Sequence, residues 1–211
     1  MDKPSSVDVG LHTFKSPEFT GVLEEAIAFF CSTPVHSLPP PEAFPGVGVY
    51  ALYYKGDFSE YSAISGLNST GAALPIYVGK AVPSGWRAAR QASSDEDGSV
   101  HGRLREHARS IEQANNLQAS HFTCRFVLLF GAETDLLTSV EASLIRKHNP
   151  LWNSVIDGFG NHDPGSGRYD QAVSEWDTVH PGRSWVTRLK GPKPSLDSVL
   201  LEIRRYKPTG V

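Results

Sequence analysis

Three apolar runs of strand length punctuate the middle of a 211-residue chain: GVGVYALYYKG (46–56), PIYVGK (75–80) and FTCRFVLLF (122–130). Each is rich in the β-branched and aromatic residues that fit a pleated, half-buried surface. Helical periodicity comes between and after them. A helix from about 100 to 116 turns Leu104, Ala108 and Ile111 toward a core. A second helix carries Leu137, Val140 and Leu144 as its buried stripe, with Thr134 as its cap and Pro150 closing it past His148-Asn149. The order strand, strand, helix, strand, helix predicts a compact α/β domain over about residues 46–156.

Long flanks lie on both sides. Residues 1–16 read as a loose arm, and Ser16-Pro17 opens a helix (about 17–31) with Val22, Leu23, Ala26, Ile27 and Phe30 at helical spacing. PVHSLPPPEAFPG (34–46) breaks regular structure, and residues 56–74 read as a long polar connection. An inserted segment (82–101) carries Trp86, Arg87, Arg90 and the acidic run Asp95-Glu96-Asp97. Residues 157–194 read as loop-rich, and a last helix is expected over about 195–206. Hydrophobic residues make up 39% and charged residues 20%, a globular balance. The net charge of −3 gives no overall basic signature, but residues 168–207 hold eight Lys/Arg against five Asp/Glu. The cysteines, Cys31 and Cys124, form no disulfide framework, and Cys124 sits in an apolar run; a reducing cytoplasm is expected. The start lacks an apolar signal segment, and no run is long enough to span a membrane.

Four residues stand out chemically. Arg103 and His107 are one helical turn apart, a guanidinium beside an imidazole, which suits a phosphate. Glu141 interrupts the apolar stripe between Val140 and Leu144, where a carboxylate needs a partner and a divalent cation is one candidate. Asn153 follows the helix end in NPLWNS. Each has an ordinary reading alone: a solvated helix face, a surface pair of Glu141 with Lys147 or Arg146, and a turn asparagine. The eight histidines are scattered and the cysteines far apart, so no zinc site is expected.

Taken together the constellation is more specific. Gly48-Val49-Tyr50, Tyr77-Val78-Gly79, Arg103 and His107 on one helix, Glu141 on the next and then Asn153 resemble the GIY-YIG nuclease superfamily in order and structural context. The resemblance covers residues 46–156. It implies an α+β core, a small three-stranded sheet containing antiparallel pairs and flanked by helices, with the two motif strands as neighbours and their tyrosines on one surface. The spacing from YVG to the helix arginine is longer than usual, and both flanks are long. These features, with GFGNHDPGSGR (158–168) and WDTVHPGRSW (176–185), resemble the type II restriction endonucleases of the superfamily, in particular the group sharing the SacII target CCGCGG.

The resemblance implies hydrolysis of DNA phosphodiesters by an activated water. Glu141 is then the ligand of one Mg²⁺, for which Mn²⁺ can substitute; Arg103 holds the scissile phosphate; Tyr50 is the general base beside His107. Tyr77 is the alternative base or a phosphate contact, and Asn153 positions Glu141 or a phosphate oxygen. Lys80, Arg87, Arg90, Arg168, Arg183, Arg188, Lys190 and Lys193 are the candidate contacts to double-stranded DNA, with guanine O6 and N7 as targets for some and phosphates for most. Residues 1–45 are expected to serve a homodimer or DNA, 46–156 to form the nuclease core, and 157–211 to read DNA and support the core. A cognate DNA methyltransferase is the implied partner. Two other readings stay open at this level: a structure-specific repair or recombination nuclease of the same superfamily, and a non-catalytic DNA-binding protein on a decayed core.

Overall fold

The computed structural model describes residues 7–82 and 99–209. The N-terminal helix α1 (Pro17–Ser32) begins where Ser16-Pro17 predicts. Ser16 Oγ accepts from the Phe19 N–H at 3.2 Å, and Pro17 fills the first turn, where an N–H has no helical partner. There follow β1 (His36–Ser37), β2 (Val47–Tyr54), α2 (Ser62–Leu67), β3 (Tyr77–Ala81), α3 (Val100–Gln113), β4 (Phe122–Leu129), α4 (Leu137–His148), α5 (Leu151–Ser154), α6 (Glu175–Val179) and α7 (Leu196–Arg205). Among the described residues, four strands form one antiparallel sheet in the order β1-β4-β2-β3. The α+β core is therefore as expected, with one strand added.

Three local expectations are corrected. The proline-rich stretch 34–46 contributes β1, which pairs His36 and Ser37 with Cys124 and Thr123; at a sheet edge two residues suffice, and the prolines after it lie outside the ladder. The polar connection 56–74 folds into a 3₁₀ turn at Ser59–Tyr61 and α2. Its fully buried Asn68 staples it down: Nδ2 donates to the carbonyls of Tyr54 and Leu74, and Oδ1 accepts from the N–H groups of Ala73 and Leu74. Thr134 does not cap α4. Its hydroxyl donates to the Gly131 carbonyl inside a 3₁₀ turn (Gly131–Leu136), and α4 starts after that turn. At its far end Asn149 takes the left-handed conformation (φ 44°), as a residue ending a helix just before a proline can.

The central strand β2 is buried on both faces from Gly48 onward, which explains why it reads as an unbroken apolar run. Tyr50, Leu52 and Tyr54 face one core with Leu104 and Ile111 of α3. Val49, Ala51 and Tyr53 face another with Val140 and Leu144 of α4 and Phe30 of α1. The first core also takes in Phe159, Trp176, Val179, Val199 and Ile203. The C-terminal extension thus packs into the same interior as the tyrosine strands. No helix of the described residues is long and apolar enough to cross a membrane.

Candidate active site

The register of β2 on β3 pairs Tyr50 with Gly79 and Leu52 with Tyr77, so both motif tyrosines emerge on the α3 face of the sheet. Gly79 is a matter of space. A Cβ there would lie 2.7 Å from the Tyr50 hydroxyl, and one at Gly48 would lie 1.9 Å from the Val127 carbonyl oxygen. Only glycine lets the ring of Tyr50 lie across its neighbour strand and β4 close on Gly48.

From α3, His107 meets that ring: Tyr50 Oη and His107 Nε2 are 2.7 Å apart, both residues buried. The spacing of Arg103 and His107 suggested one shared outer face. Instead His107 lies three residues from Leu104 and four from Ile111, within the buried stripe, and it stacks on Phe159 with ring centroids 4.6 Å apart. Burial pushes the Tyr50 phenol far above its usual range, and Tyr77 adds to this, while Arg103 opposes it through its charge and a hydrogen bond. Burial, then the charge of Arg103, holds His107 well below the usual imidazole value. His107 is therefore neutral near pH 7, and the arrangement is a phenol donating to an imidazole.

Arg103 itself is partly exposed. Its Nη1 donates to Glu106 Oε2 at 2.5 Å and to His162 Nε2 at 2.8 Å. Tyr77 is half-buried; burial raises its phenol, Arg103 lowers it and Glu141 raises it. Glu141 comes from the other side. Along β3, Lys80 points opposite to Gly79, toward α4, where its Nζ meets Glu141 Oε2 at 2.5 Å. The charge of Glu141 adds a last, minor upward push to both phenols.

Asn153 holds that edge. Its Oδ1 accepts from the Val78 N–H and its Nδ2 donates to the Val78 carbonyl, each at 2.8 Å, as a further strand would. The Asn153 amide thus grips the backbone between Tyr77 and Gly79, and this contact, rather than one to Glu141, is what the structure shows. Glu141 is the motif carboxylate, and among the described residues no group of three or more His, Cys, Asp or Glu is placed to hold a metal. One carboxylate fits a hard divalent ion that keeps much of its water and takes phosphate oxygens from a substrate. Lys80 Nζ already marks a cation position on that carboxylate.

The other candidate contacts divide. Arg87 and Arg90 lie outside the described residues. Arg168, Lys190 and Lys193 are exposed. Arg188 is exposed too, paired with Asp163 at 2.6 Å and set over the Tyr169 ring. Arg183 is a correction: it is a buried structural clamp rather than a DNA contact. Its Nε and Nη2 bind the two oxygens of Asp177, and its Nη1 and Nη2 donate to the carbonyls of Gly158, Phe159 and Asn161. Trp176 and Trp185 flank the guanidinium. The HPGRSW sequence gave no sign of this, because the carbonyls it serves are more than 20 residues away.

That clamp fixes a loop which the sequence did not assign to the centre. Phe159 lies under His107, a Cβ on Gly160 would sit 3.1 Å from the Tyr77 hydroxyl, and His162 touches Arg103. The available signal was GFGNH directly after the core, a glycine-rich run able to approach other residues closely.

No curated protein matches the sequence. A family model described as the Eco29kI GIY-YIG domain matches residues 42–207. The match extends well past Asn153, through the GFGNH loop, the Arg183 clamp and α7, the parts that the general GIY-YIG motif does not specify. On that span the chain belongs to the Eco29kI family of GIY-YIG restriction endonucleases.

Proposed function

We propose that this protein is a type II restriction endonuclease that hydrolyses both strands of a palindromic, GC-rich DNA site of the CCGCGG type, using Mg²⁺. The observation that carries the chemistry is the buried Tyr50–His107 hydrogen bond of 2.7 Å, with Arg103 one helical turn away on α3. Arg103 exchanges Glu106 for the scissile phosphate and stabilises the charge that builds on it. A water attacks phosphorus and gives its proton to Tyr50 Oη as Tyr50 passes its own to His107 Nε2. The phosphorus–oxygen bond on the far side breaks. A free phenolate is never needed, which matters because burial makes one costly here. The charge of Arg103 helps to keep His107 from taking a proton. A phosphate on the guanidinium offsets that charge, so substrate binding itself readies the acceptor. When bound through Glu141, Mg²⁺ (or Mn²⁺) supplies positive charge to the phosphate and the leaving oxygen. Lys80, freed from Glu141, is then available to the DNA backbone, and Tyr77 hydrogen-bonds the phosphate.

Cutting both strands of a palindrome calls for two centres related by a two-fold axis, hence a homodimer on DNA. The N-terminal segment supports this. Val9, Leu11 and Phe14 are 71%, 83% and 89% exposed, and Phe19 and Phe29 extend the apolar surface along α1. Arg168, Arg188, Lys190 and Lys193 are the contacts proposed for DNA, and a methyltransferase of the same specificity protects the host's own DNA in the cytoplasm where the enzyme works. Digestion of plasmid DNA with Mg²⁺ and sequencing of the ends tests the reading: discrete fragments with one palindromic cut site are expected, and cutting confined to branched DNA would overturn it. Light scattering of Glu141→Gln on one short palindromic duplex is expected to give two chains per duplex.

A further inference from the structure

The reaction above gives a proton acceptor to the attacking water but no proton donor to the departing oxygen. The contacts of Arg103 point to one. Arg103 lies one helical turn from His107, the partner of the Tyr50 hydroxyl, and its charge opposes the rise of that phenol. At Nη1 it reaches His162 Nε2, 2.8 Å away, on the loop that Arg183 clamps. Arg103 therefore spans two proton-carrying groups that belong to different layers of the molecule. In-line displacement at phosphorus places the base and the acid on opposite sides of the reacting centre. A phosphate seated on this guanidinium comes near the His162 imidazole as well as the Tyr50–His107 pair.

We propose that His162 is a catalytic residue, the general acid that protonates the leaving oxygen. The proposal rests on the endonuclease reading and extends it. In the DNA-free protein His162 Nε2 accepts a hydrogen bond from Arg103, so that nitrogen carries no proton. Once the phosphate takes over the guanidinium, Nε2 is released to bind a proton. Glu106 Oε2, relieved of Arg103 in the same exchange, lies 4.0 Å from that nitrogen. His162 is more than half exposed, 57% for its side chain, so it exchanges protons with solvent between turnovers, as an acid must. In the step itself the water oxygen bonds to phosphorus, its proton goes to the Tyr50–His107 pair, the phosphorus–oxygen bond breaks, and the Nε2 proton of His162 goes to the departing oxygen. His107 cannot fill this place, since it is buried behind Tyr50.

The test compares two duplexes carrying the cut site mapped by the plasmid digest. One is ordinary DNA, and the other has sulfur in place of the bridging leaving oxygen. A thiolate leaves without protonation, so a missing acid costs nothing on the second duplex. Single-turnover rates are measured for wild type, His162→Ala and His162→Gln, the last keeping a polar contact to Arg103 should alanine unsettle the loop. Expected is a loss of about 10²-fold or more on the ordinary duplex, the usual scale for a general acid, shrinking to within a few-fold of wild type on the sulfur duplex, with binding little changed. Taking the ratio to wild type on each duplex cancels any preference of the metal for sulfur. Equal losses on both duplexes would mean that His162 only positions Arg103, and no loss on the ordinary one would mean that it is a bystander; either overturns the proposal. If wild type cuts neither duplex, the endonuclease reading fails and the assignment falls with it.

Discussion

Replacing Arg183 with methionine should destabilise the protein by about 3–5 kcal/mol, the range for removing one partner of a buried ion pair. The structure says why the value belongs there rather than near the zero to 1 kcal/mol of a surface pair. Both partners are 1% exposed, and the carboxylate of Asp177 is gripped through two guanidinium nitrogens at 2.7 and 2.6 Å. Methionine keeps much of the contact with Trp176 and Trp185 but strands the charge of Asp177 and three carbonyls without their donors. For a chain of this size each kcal/mol corresponds to roughly 2–4 °C in Tm, so thermal unfolding should shift down by about 6–20 °C. Urea unfolding gives the free energy directly. The double variant Arg183→Met/Asp177→Leu should regain about 1–2 kcal/mol, because the stranded charge is gone while the carbonyls stay unserved. A loss below about 1 kcal/mol for Arg183→Met would refute the clamp and reopen a role for this residue on DNA.

Glu141→Gln should abolish cleavage while specific binding survives in a gel shift, since the amide keeps the shape of the carboxylate without its charge; cutting near the wild-type rate would remove Glu141 from the ligand role. Arg103→Ala should lower the single-turnover rate at saturating enzyme by about 10²-fold or more, the scale for losing one donor to developing charge, and an effect confined to binding would make it a mere anchor. Stability should fall with acid. His107, His148 and His180 are all held below the ordinary imidazole value of 6.5 by burial, His180 down to about 3. Below about pH 6.5 the unfolded chain takes up protons that the folded one refuses, so stability present above that pH is lost progressively toward pH 3. Urea midpoints that stay level or rise between pH 7 and pH 4 would contradict this.

The sequence was most legible where a residue's partner lies within one element or where spacing fixes its face. The strands of the two tyrosines, the stripe of α4 and the N-terminus of α1 follow from period and capping alone. The grouping of Tyr50, Tyr77, Arg103 and Glu141 comes instead from the resemblance to the superfamily, whose motif order carries the topology with it. Legibility failed where burial depends on what another segment brings. His107 looks like half of a solvent-facing pair until Phe159, 52 positions later in the chain, is laid against it. Arg183 sits in a basic stretch that suggests DNA, and only the carbonyls of Gly158, Phe159 and Asn161 reveal its use. Asn153 is a motif residue whose function could be misplaced by one step, since nothing local says that its amide will complete the edge of β3 rather than approach Glu141.

These failures share a cause that bears on how the enzyme is built. Residues 157–211 read as an extension that recognises DNA and supports the core, and they also supply Phe159 beneath His107, Gly160 beside Tyr77 and His162 to Arg103. The loop that does this is held by Arg183, and Arg183 is held by Asp177 on α6, whose Trp176 packs into the core shared with Tyr50. A displacement of this extension would therefore reach the catalytic groups through one short chain of contacts: α6, Arg183, the GFGNH loop, then His107 and Arg103. Arg188 ties into the same loop through Asp163, one residue after His162, and its side chain is half exposed. If DNA is engaged by this extension, as proposed, its contacts lie on the same packed unit that holds His162 beside Arg103.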